Sequence, residues 1–402
     1  MVIHHAVRQP TARCSKSPDN LMGFREIYLR FEVTMKKHMQ LNEIIQSIET
    51  MAPLPLQEDY DNSGLLTGHP DDTITGALIT LDVTESVIEE AIKLGYNLII
   101  AHHPLIFKPL KKINGNNEVE RCVIKAIRNK IAIYTAHTNL DNSMEGVNAM
   151  LCRKIGLTET SILSPINGNL RKLVVFVPVS HAEKVRQAMF VSGAGHIGQY
   201  DSCSFNTAGS GTFRALEGAN PFVGQQGEIH SEPEIRIESI VPKWLESRVL
   251  SAVREVHPYE EIAWDSYVLT NSALNTGAGM TGKFENPLQE EEFILRLKEV
   301  LKVPLIKCSP LTGKKISKVA VCGGSGNFLI QEAIRSGAHA FVTGELKYHD
   351  YFLAEGRILL VEAGHYETEQ FTKELLYQVV KEKFPTFALQ ISTISTNPVN
   401  YL

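Results

Sequence analysis

Tyr96–Leu110 reads YNLIIAHHPLIFKPL, a short apolar run, Asn97–Ala101, that stops abruptly at two adjacent histidines and a proline. A helix-like segment closed by Gly95 leads into it, the pattern of a parallel strand in an α/β sheet. Open α/β sheets bind ligands outside the carboxyl ends of their strands, so His102 and His103 stand where a site is expected. Neighbouring strand residues point to opposite faces, and both imidazoles reach one site only if the ladder has ended and the chain turns. Pro104 favours that turn: it has no N–H to continue a ladder and pushes His103 to an extended conformation. Taken alone, the pair reads better as one packed histidine and one strand cap. Further ligands elsewhere are what would make it a metal site.

Outward from this strand the chain keeps an α/β rhythm. Before it, strand Ala77–Leu81 ends at Asp82, and Thr84 opens the helix TESVIEEAIKLG as an N-cap, with Gly95 as its C-cap. After it come helix Val119–Asn129 and strand Ile131–Ala136, which runs into HTNLDNSMEGVN and leaves His137 and Asp141 in a loop at a strand's carboxyl end. Strand–helix–strand–helix–strand predicts a parallel, doubly wound half-sheet. Upstream, Leu41–Met51 is an amphipathic helix stopped by Pro53 and Pro55. In the polar loop Glu58–Gly68, Asp61, Asn62 and Gly64 read equally as a substrate loop or an ordinary Asx-turn.

From Leu173 the pattern changes. Strand LVVFVPV, helix His181–Ser192, strand Ser204–Arg214, strand Glu234–Val241, helix Pro242–Glu255 and strand Glu261–Leu269 follow the split βαβ, ferredoxin-like plan. The third segment returns to α/β: helix Leu288–Leu301, strand Lys318–Cys322 ending in GGSGN, helix Phe328–Ser336, strand Ala338–Thr343, and strand Ile358–Ala363 ending in GHYETE. An internal echo aligns EEAIKLGYNLIIAHH (Glu89–His103) with QEAIRSGAHAFVTGE (Gln331–Glu345). The fold class expected is α/β: two related α/β halves forming one metal-binding domain over residues 41–170 and 271–402, with an inserted α+β ferredoxin-like domain over residues 171–270. Residues 1–40 are read as a leader, disordered or preceding a true start at Met35 or Met39.

Composition narrows the class of protein. At 402 residues the chain exceeds one ordinary core, and 43% hydrophobic with 21% charged residues is ordinary globular content. A net charge of −5 gives no general electrostatic reason to bind nucleic acid or an anionic membrane, and no run approaches a membrane span. The six cysteines are scattered without a C-x-x-C pair, which disfavours a disulfide framework and a thiolate zinc site and fits a reducing cytoplasm.

His365 and Glu369 share one face if a helix starts just past Gly364. Imidazole and carboxylate both suit zinc, iron or manganese. His102, His103, Asp141, His365 and Glu369 all fall at or beyond the ends of predicted parallel strands, on one expected sheet edge. Five such ligands suffice for two open metals sharing a carboxylate and a water, which points to hydrolysis. Gly323, Gly324 and Gly326 read as a tight turn in preference to a phosphate cradle. His137 reads equally as a support behind Asp141 or as a core residue, and Glu345 and His349 as pocket wall or surface pair.

EDYDNSGLLTG, IIAHHPLIF, AHTNLDNSMEGVN, CGGSG, FVTGELKYHD and VEAGHYETE, in this order, resemble the Nif-three-like proteins, the GTP cyclohydrolase type-2 homologues, from about Leu41 to the end. The resemblance implies a toroidal homohexamer of α/β protomers with a dinuclear divalent-metal site in each, ligated at His102, His103, Asp141, His365 and Glu369. HPYEEIAWDSY (His257–Tyr267) is similar to a strand of the domain inserted in longer bacterial members, itself similar to trimeric ion-tolerance and nitrogen-regulator folds. The function expected is a cytoplasmic hydrolase that depends on two divalent ions per chain and acts on a nucleotide-like or other small phosphorylated or cyclic substrate. The alternative is a non-catalytic metal-binding regulatory or interaction protein.

Overall fold

The computed structural model describes residues 39–273 and 275–402. Of the leader expected over residues 1–40, only Met39 and Gln40 fall among them, paired antiparallel with Thr73–Ile74; the rest lies outside the described residues.

The chain begins with α1 (Leu41–Met51), β1 (Gly64–Thr67), β2 (Ala77–Thr80), α2 (Glu85–Leu94), β3 (Leu98–Ala101), α3 (Glu118–Arg128), β4 (Ala132–Thr135), the one-turn α4 (Thr138–Asp141), α5 (Val147–Ile155) and β5 (Thr158–Pro165). It continues with β6 (Leu170–Pro178), α6 (Ala182–Val191), β7 (Phe205–Arg214), β8 (Ile229–Pro242), α7 (Glu246–Val256) and β9 (Trp264–Val268). The last third supplies β10 (Gly277–Leu288), α8 (Glu290–Leu301), β11 (Ile316–Cys322), α9 (Ile330–Arg335), β12 (Ala340–Thr343), β13 (Leu359–Glu362), α10 (His365–Glu369), α11 (Thr372–Lys383) and β14 (Leu389–Ile391).

Local chemistry explains the elements around the His-His strand. Thr84 Oγ1 accepts from Val87 N at 3.3 Å at the start of α2, and Gly95 ends that helix in the left-handed region at φ 69°. Every residue of β3 is fully buried, which the period of two explains: Leu98 and Ile100 enter one core, Ile99 and Ala101 another beneath α2 and α3.

A five-stranded sheet runs β14-β2-β3-β4-β1, parallel except for β1. A six-stranded sheet runs from Lys307–Cys308 through β13, β12, β11 and β10 to β5, with β11, β12 and β13 parallel. This corrects the expectation of ligands on one sheet edge, because β3 and β4 belong to one sheet and β13 to the other. Both sides of the β11–β12–β13 parallel set are taken, by β10 and by Lys307–Cys308, which leaves no place there for a strand of the five-stranded sheet. The two sets therefore share a core instead of a ladder, built on Ile48 of α1, Leu151 of α5, Phe293 of α8 and Val380 of α11. A helix does start just past Gly364, and it forms as two pieces, α10 and α11, separated at Gln370–Phe371.

Arg171 to Val268 forms a separate four-stranded antiparallel sheet in the order β9-β6-β8-β7, with α6 and α7 covering one face over Val175, Val177, Met189, Ile237 and Val253. The segment enters and leaves at one place: Arg171 pairs with Val268, and Leu269 N donates to Leu170 O at 3.1 Å. Among the described residues no helix is long and apolar enough to cross a membrane.

Candidate metal centre

The amides of His102 and His103 both donate to one carbonyl, Leu81 O, at 3.2 and 2.9 Å. Two consecutive donors on one acceptor end the ladder and turn the chain, so the two rings come to lie 4.9 Å apart, centroid to centroid, tilted by 45°. The other sheet brings His365 and Glu369 one helical turn apart on α10, and the loop after β4 brings Asp141 at the end of α4. All five residues singled out in the sequence meet here.

Glu369 stands between two ligand sets. Its Oε1 lies 3.8 Å from His102 Nε2, and its Oε2 lies 2.9 Å from His103 Nε2 and 3.1 Å from His365 Nε2. Asp141 Oδ1 lies 3.8 Å from His102 Nε2. The donor atoms of His102, Asp141 and Glu369 fall within 4.8 Å of one another, and so do those of His103, His365 and Glu369. His102 Nε2 and Asp141 Oδ1 are both buried and make no hydrogen bond. A lone pair and a carboxylate oxygen left without donors in the interior are costly unless a cation lies between them. Hard oxygen beside imidazole nitrogen is also the donor chemistry of a first-row divalent ion. The residues present thus fit a metal.

Each imidazole is held from behind, as ligating histidines are. His102 Nδ1 faces Ala136 O at 2.8 Å, His103 Nδ1 faces Asp82 Oδ1 at 2.7 Å, and His365 Nδ1 faces Glu345 Oε1 at 2.9 Å. His137 joins them, 5.2 and 5.4 Å ring to ring from His102 and His103, with Nδ1 2.7 Å from Asp61 Oδ1. Burial raises the Asp61 carboxyl, but hydrogen bonds from His137 and Thr138 outweigh it and hold the acid well below its usual range.

In the metal-free centre the surrounding carboxylates favour the protonated forms of His103 and His365. Burial disfavours charge on His103, yet its hydrogen bonds to Asp82 and Glu369 win and push the imidazole up to about 10. Burial likewise opposes charge on His365, and its bonds to Glu369 and Glu345 push it up to about 9. Both folded values lie above the ordinary imidazole value. Their support for the metal-free chain is therefore complete below about pH 6.5 and fades as pH rises through about 9 to 10. A cation taking the same Nε2 atoms must displace both protons. Its affinity is expected to rise about a hundredfold per pH unit below about pH 9, with about two protons released. Calorimetry in buffers of different ionisation enthalpy measures that release, and an affinity flat between about pH 6 and 8 would contradict it.

Other sequence candidates separate cleanly. Gly323 N, Gly324 N and Gly326 N are taken by Asn148 Oδ1, Thr368 Oγ1 and Thr343 Oγ1 at 2.9, 3.1 and 2.9 Å, so these amides form a braced turn. Gly324 has φ +61°, and a Cβ there would lie 2.2 Å from Glu369 Oε1, so the turn needs glycine to admit the shared carboxylate. Glu345 reaches the centre through His365, whereas His349 is exposed beside Tyr348 and Phe352 and makes no contact with the cluster. The supports Asp82 and Asp61 were not singled out as such. A carboxylate at the carboxyl end of the strand neighbouring His103 was the signal for Asp82.

A cavity of about 210 Å³ opens on the cluster, lined by Tyr60, His137, Asp141, Phe328, His365 and Glu369. Phe107 adds a third exposed ring, its centroid 6.4 Å from Tyr60 and 6.3 Å from His137.

The sequence profile of the Duf34/NIF3 family (NGG1p interacting factor 3) matches residues 39–398, a span that takes in every residue of this centre. The chain belongs to the Duf34/NIF3 family. Among its relatives, a "GTP cyclohydrolase 1 type 2 homolog" of Halalkalibacterium halodurans is 40% identical over 365 residues, covering 89% of this chain and 98% of the relative. One of Bacillus subtilis with the same description is 38% identical over 377 residues, covering 92% and 100%. A crystal structure of a Bacillus cereus protein related to NIF3 superposes with TM-score 0.79 at 38% identity, covering 91% of this chain and 100% of that one. The Duf34/NIF3 match and the mixed α/β sheets agree on the fold.

Proposed function

We propose that this chain is a divalent-metal-dependent hydrolase holding two ions, one at His102, Asp141 and Glu369 and one at His103, His365 and Glu369. The observation that carries the reading is the buried pair His102 Nε2 and Asp141 Oδ1, 3.8 Å apart and without hydrogen bonds, on the far side of Glu369 from His103 and His365. When bound, such ions supply Lewis acidity and a water of lowered pKa. The chain's own residues do the rest. His137, fixed through Nδ1 by Asp61, keeps Nε2 available to take or return a proton. Tyr60 and Phe328 line the cavity, and Phe107 stands beside Tyr60 and His137, an aromatic surface suited to a planar ring. With the glycine-turn amides occupied, we favour a nucleotide-like or other cyclic substrate recognised through its ring, in keeping with the relatives' description as GTP cyclohydrolase homologues.

The test is a hydrolysis screen of metal-loaded protein against nucleotides, cyclic nucleotides and free heterocycles. Turnover that disappears on chelation and returns with metal supports the hydrolase. Full metal loading with no turnover of any substrate favours the binding protein.

We read the four-stranded unit as a ferredoxin-like domain over residues 171–270, inserted into a host made of two related α/β halves. Its strands follow βαββαβ, and its ends meet at Arg171 and Val268. Replacing residues 171–270 with a short Gly/Ser linker is expected to leave metal content unchanged, since every proposed ligand lies outside the span and closure of so short a gap costs little. A folded deletion variant that no longer holds metal would place the insert within the site. A homohexamer in a reducing cytoplasm completes the reading. Cys122, Cys152, Cys203, Cys308 and Cys322 are free thiols, and light scattering tests the assembly.

A further inference from the structure

On the face of the four-stranded sheet opposite α6 and α7, a cavity of about 480 Å³ is walled by Phe176, Phe213, Phe222 and Tyr259 and carries Glu234. Strand periodicity puts the carboxylate there: Ile235, Ile237 and Val241 of β8 point into the core under the helices, so Glu234 points the other way. It is nonetheless only 9% exposed. Tyr259 Oη donates to Glu234 Oε1 at 2.9 Å, and among the described residues nothing donates to Oε2. The bases closest along β8 pair with other carboxylates, His230 with Glu232 at 2.9 Å and Arg236 with Glu238 at 3.0 Å, and the Arg236 guanidinium lies 5.9 Å from the Phe176 ring centroid without pairing with Glu234. Strand β7 makes room for the carboxylate with Gly211, where a Cβ would lie 2.2 Å from Oε2.

The walls select the kind of ligand. Phe213 and Phe222 stand 6.1 and 6.3 Å from Tyr259, ring centroid to ring centroid, tilted by 59° and 51°. The loop carrying Phe222 is tied down by Asn220 N donating to Glu260 Oε2 at 2.9 Å, which sets a second carboxylate beside the opening. Aromatic faces attract cations, and the undonated oxygen of a largely buried carboxylate, opening on an aromatic-walled cavity, offers an acceptor to a positive donor. A metal ion needs several converging oxygen or nitrogen ligands, whereas here three phenylalanine rings and a phenol already donating to Glu234 make the walls, and Glu260 is tied to Asn220 N. A protonated amine on an apolar body meets both demands. We propose that this cavity binds a small organic ammonium ion, its N–H on Glu234 Oε2 and its apolar part against the rings of Phe176, Phe213, Phe222 and Tyr259. None of these residues belongs to the metal centre, and the proposal stands apart from the hydrolase reading.

The test uses the full-length, metal-loaded chain and two probes of nearly equal shape, phenethylamine and phenethyl alcohol, titrated by calorimetry. The amine is expected to bind one per chain, about tenfold or more tighter than the alcohol, the usual advantage of a hydrogen bond to a charged group. Glu234→Gln keeps an acceptor for Tyr259 and is expected to reduce that preference to within about threefold, without change in metal content. Phe222→Ala, at a half-exposed position, is expected to weaken the amine while sparing the fold, and serves if the Glu234 variant fails to fold. Equal binding of amine and alcohol, amine binding unchanged in both variants, or no binding of either probe would overturn the proposal.

Discussion

Glu369→Gln is expected to strip both halves of the metal centre at once, lowering affinity at each by about a hundredfold or more. Supports behind a ligand cost about ten- to a hundredfold when removed, and Glu369 faces both donor sets directly, Oε1 toward His102 and Oε2 toward His103 and His365. The same change is expected to weaken the metal-free chain. Burial raises this carboxyl, but the three imidazoles facing it, His102 at 3.8 Å and His103 and His365 at hydrogen-bond distance, overcome it and hold the group well below the ordinary carboxylate range. An acid whose folded value is depressed supports the fold above its ordinary value and loses that support only in strong acid, so at pH 7 the full contribution is present. Breaking a buried charge pair costs about 3 kcal/mol or more, with the share owed to the more exposed His365 discounted for solvent. Elemental analysis and urea unfolding of chelated protein measure the two effects. Retention of metal at one half with parent stability would show that Glu369 does not bridge.

Asp141→Asn is expected to separate binding from stability in the opposite sense. Asp141 Oδ1 is buried without a donor, and burial, with Glu369 adding to it, raises the carboxyl above its usual value. For an acid, a raised folded value means that ionisation costs stability, a cost that grows as pH rises past the ordinary carboxylate range. Asn removes the charge and keeps the size, and the bond from Asn148 Nδ2 to the backbone oxygen of residue 141 survives. The chelated variant is therefore expected to be at least as stable as the parent at pH 7, while metal affinity at the His102 side falls about a hundredfold. Unchanged metal content, or a chelated variant clearly less stable than the parent, would return Asp141 to an ordinary turn residue.

The parts of this centre written in the sequence are those with a local signature. His102 and His103 follow a four-residue strand and precede a proline, and that shift from apolar run to His-His-Pro marks a strand end by itself. His365 and Glu369 share a face because they are one turn apart. What closes the centre is non-local. Asp82 meets His103 across 21 positions, and Asp61 meets His137 across 76. Each looks in sequence like one more turn aspartate. The division into two sheets was hidden for a related reason. Strand β10 carries Gly277, Gly279 and Gly282, which blank the period-two pattern, and β5 is largely polar, so the two antiparallel strands beside the parallel set left little hydrophobic trace. Gly324 was legible as a turn glycine, but its necessity comes from the Glu369 carboxylate 45 positions later.

The most direct measurement is the metal stoichiometry of the intact chain, purified without chelator, reconstituted with zinc, manganese or ferrous iron, and counted by elemental analysis against protein concentration. Two ions per chain are expected, falling to near zero in Glu369→Gln. One ion per chain, or none after reconstitution, would contradict a dinuclear centre shared through Glu369.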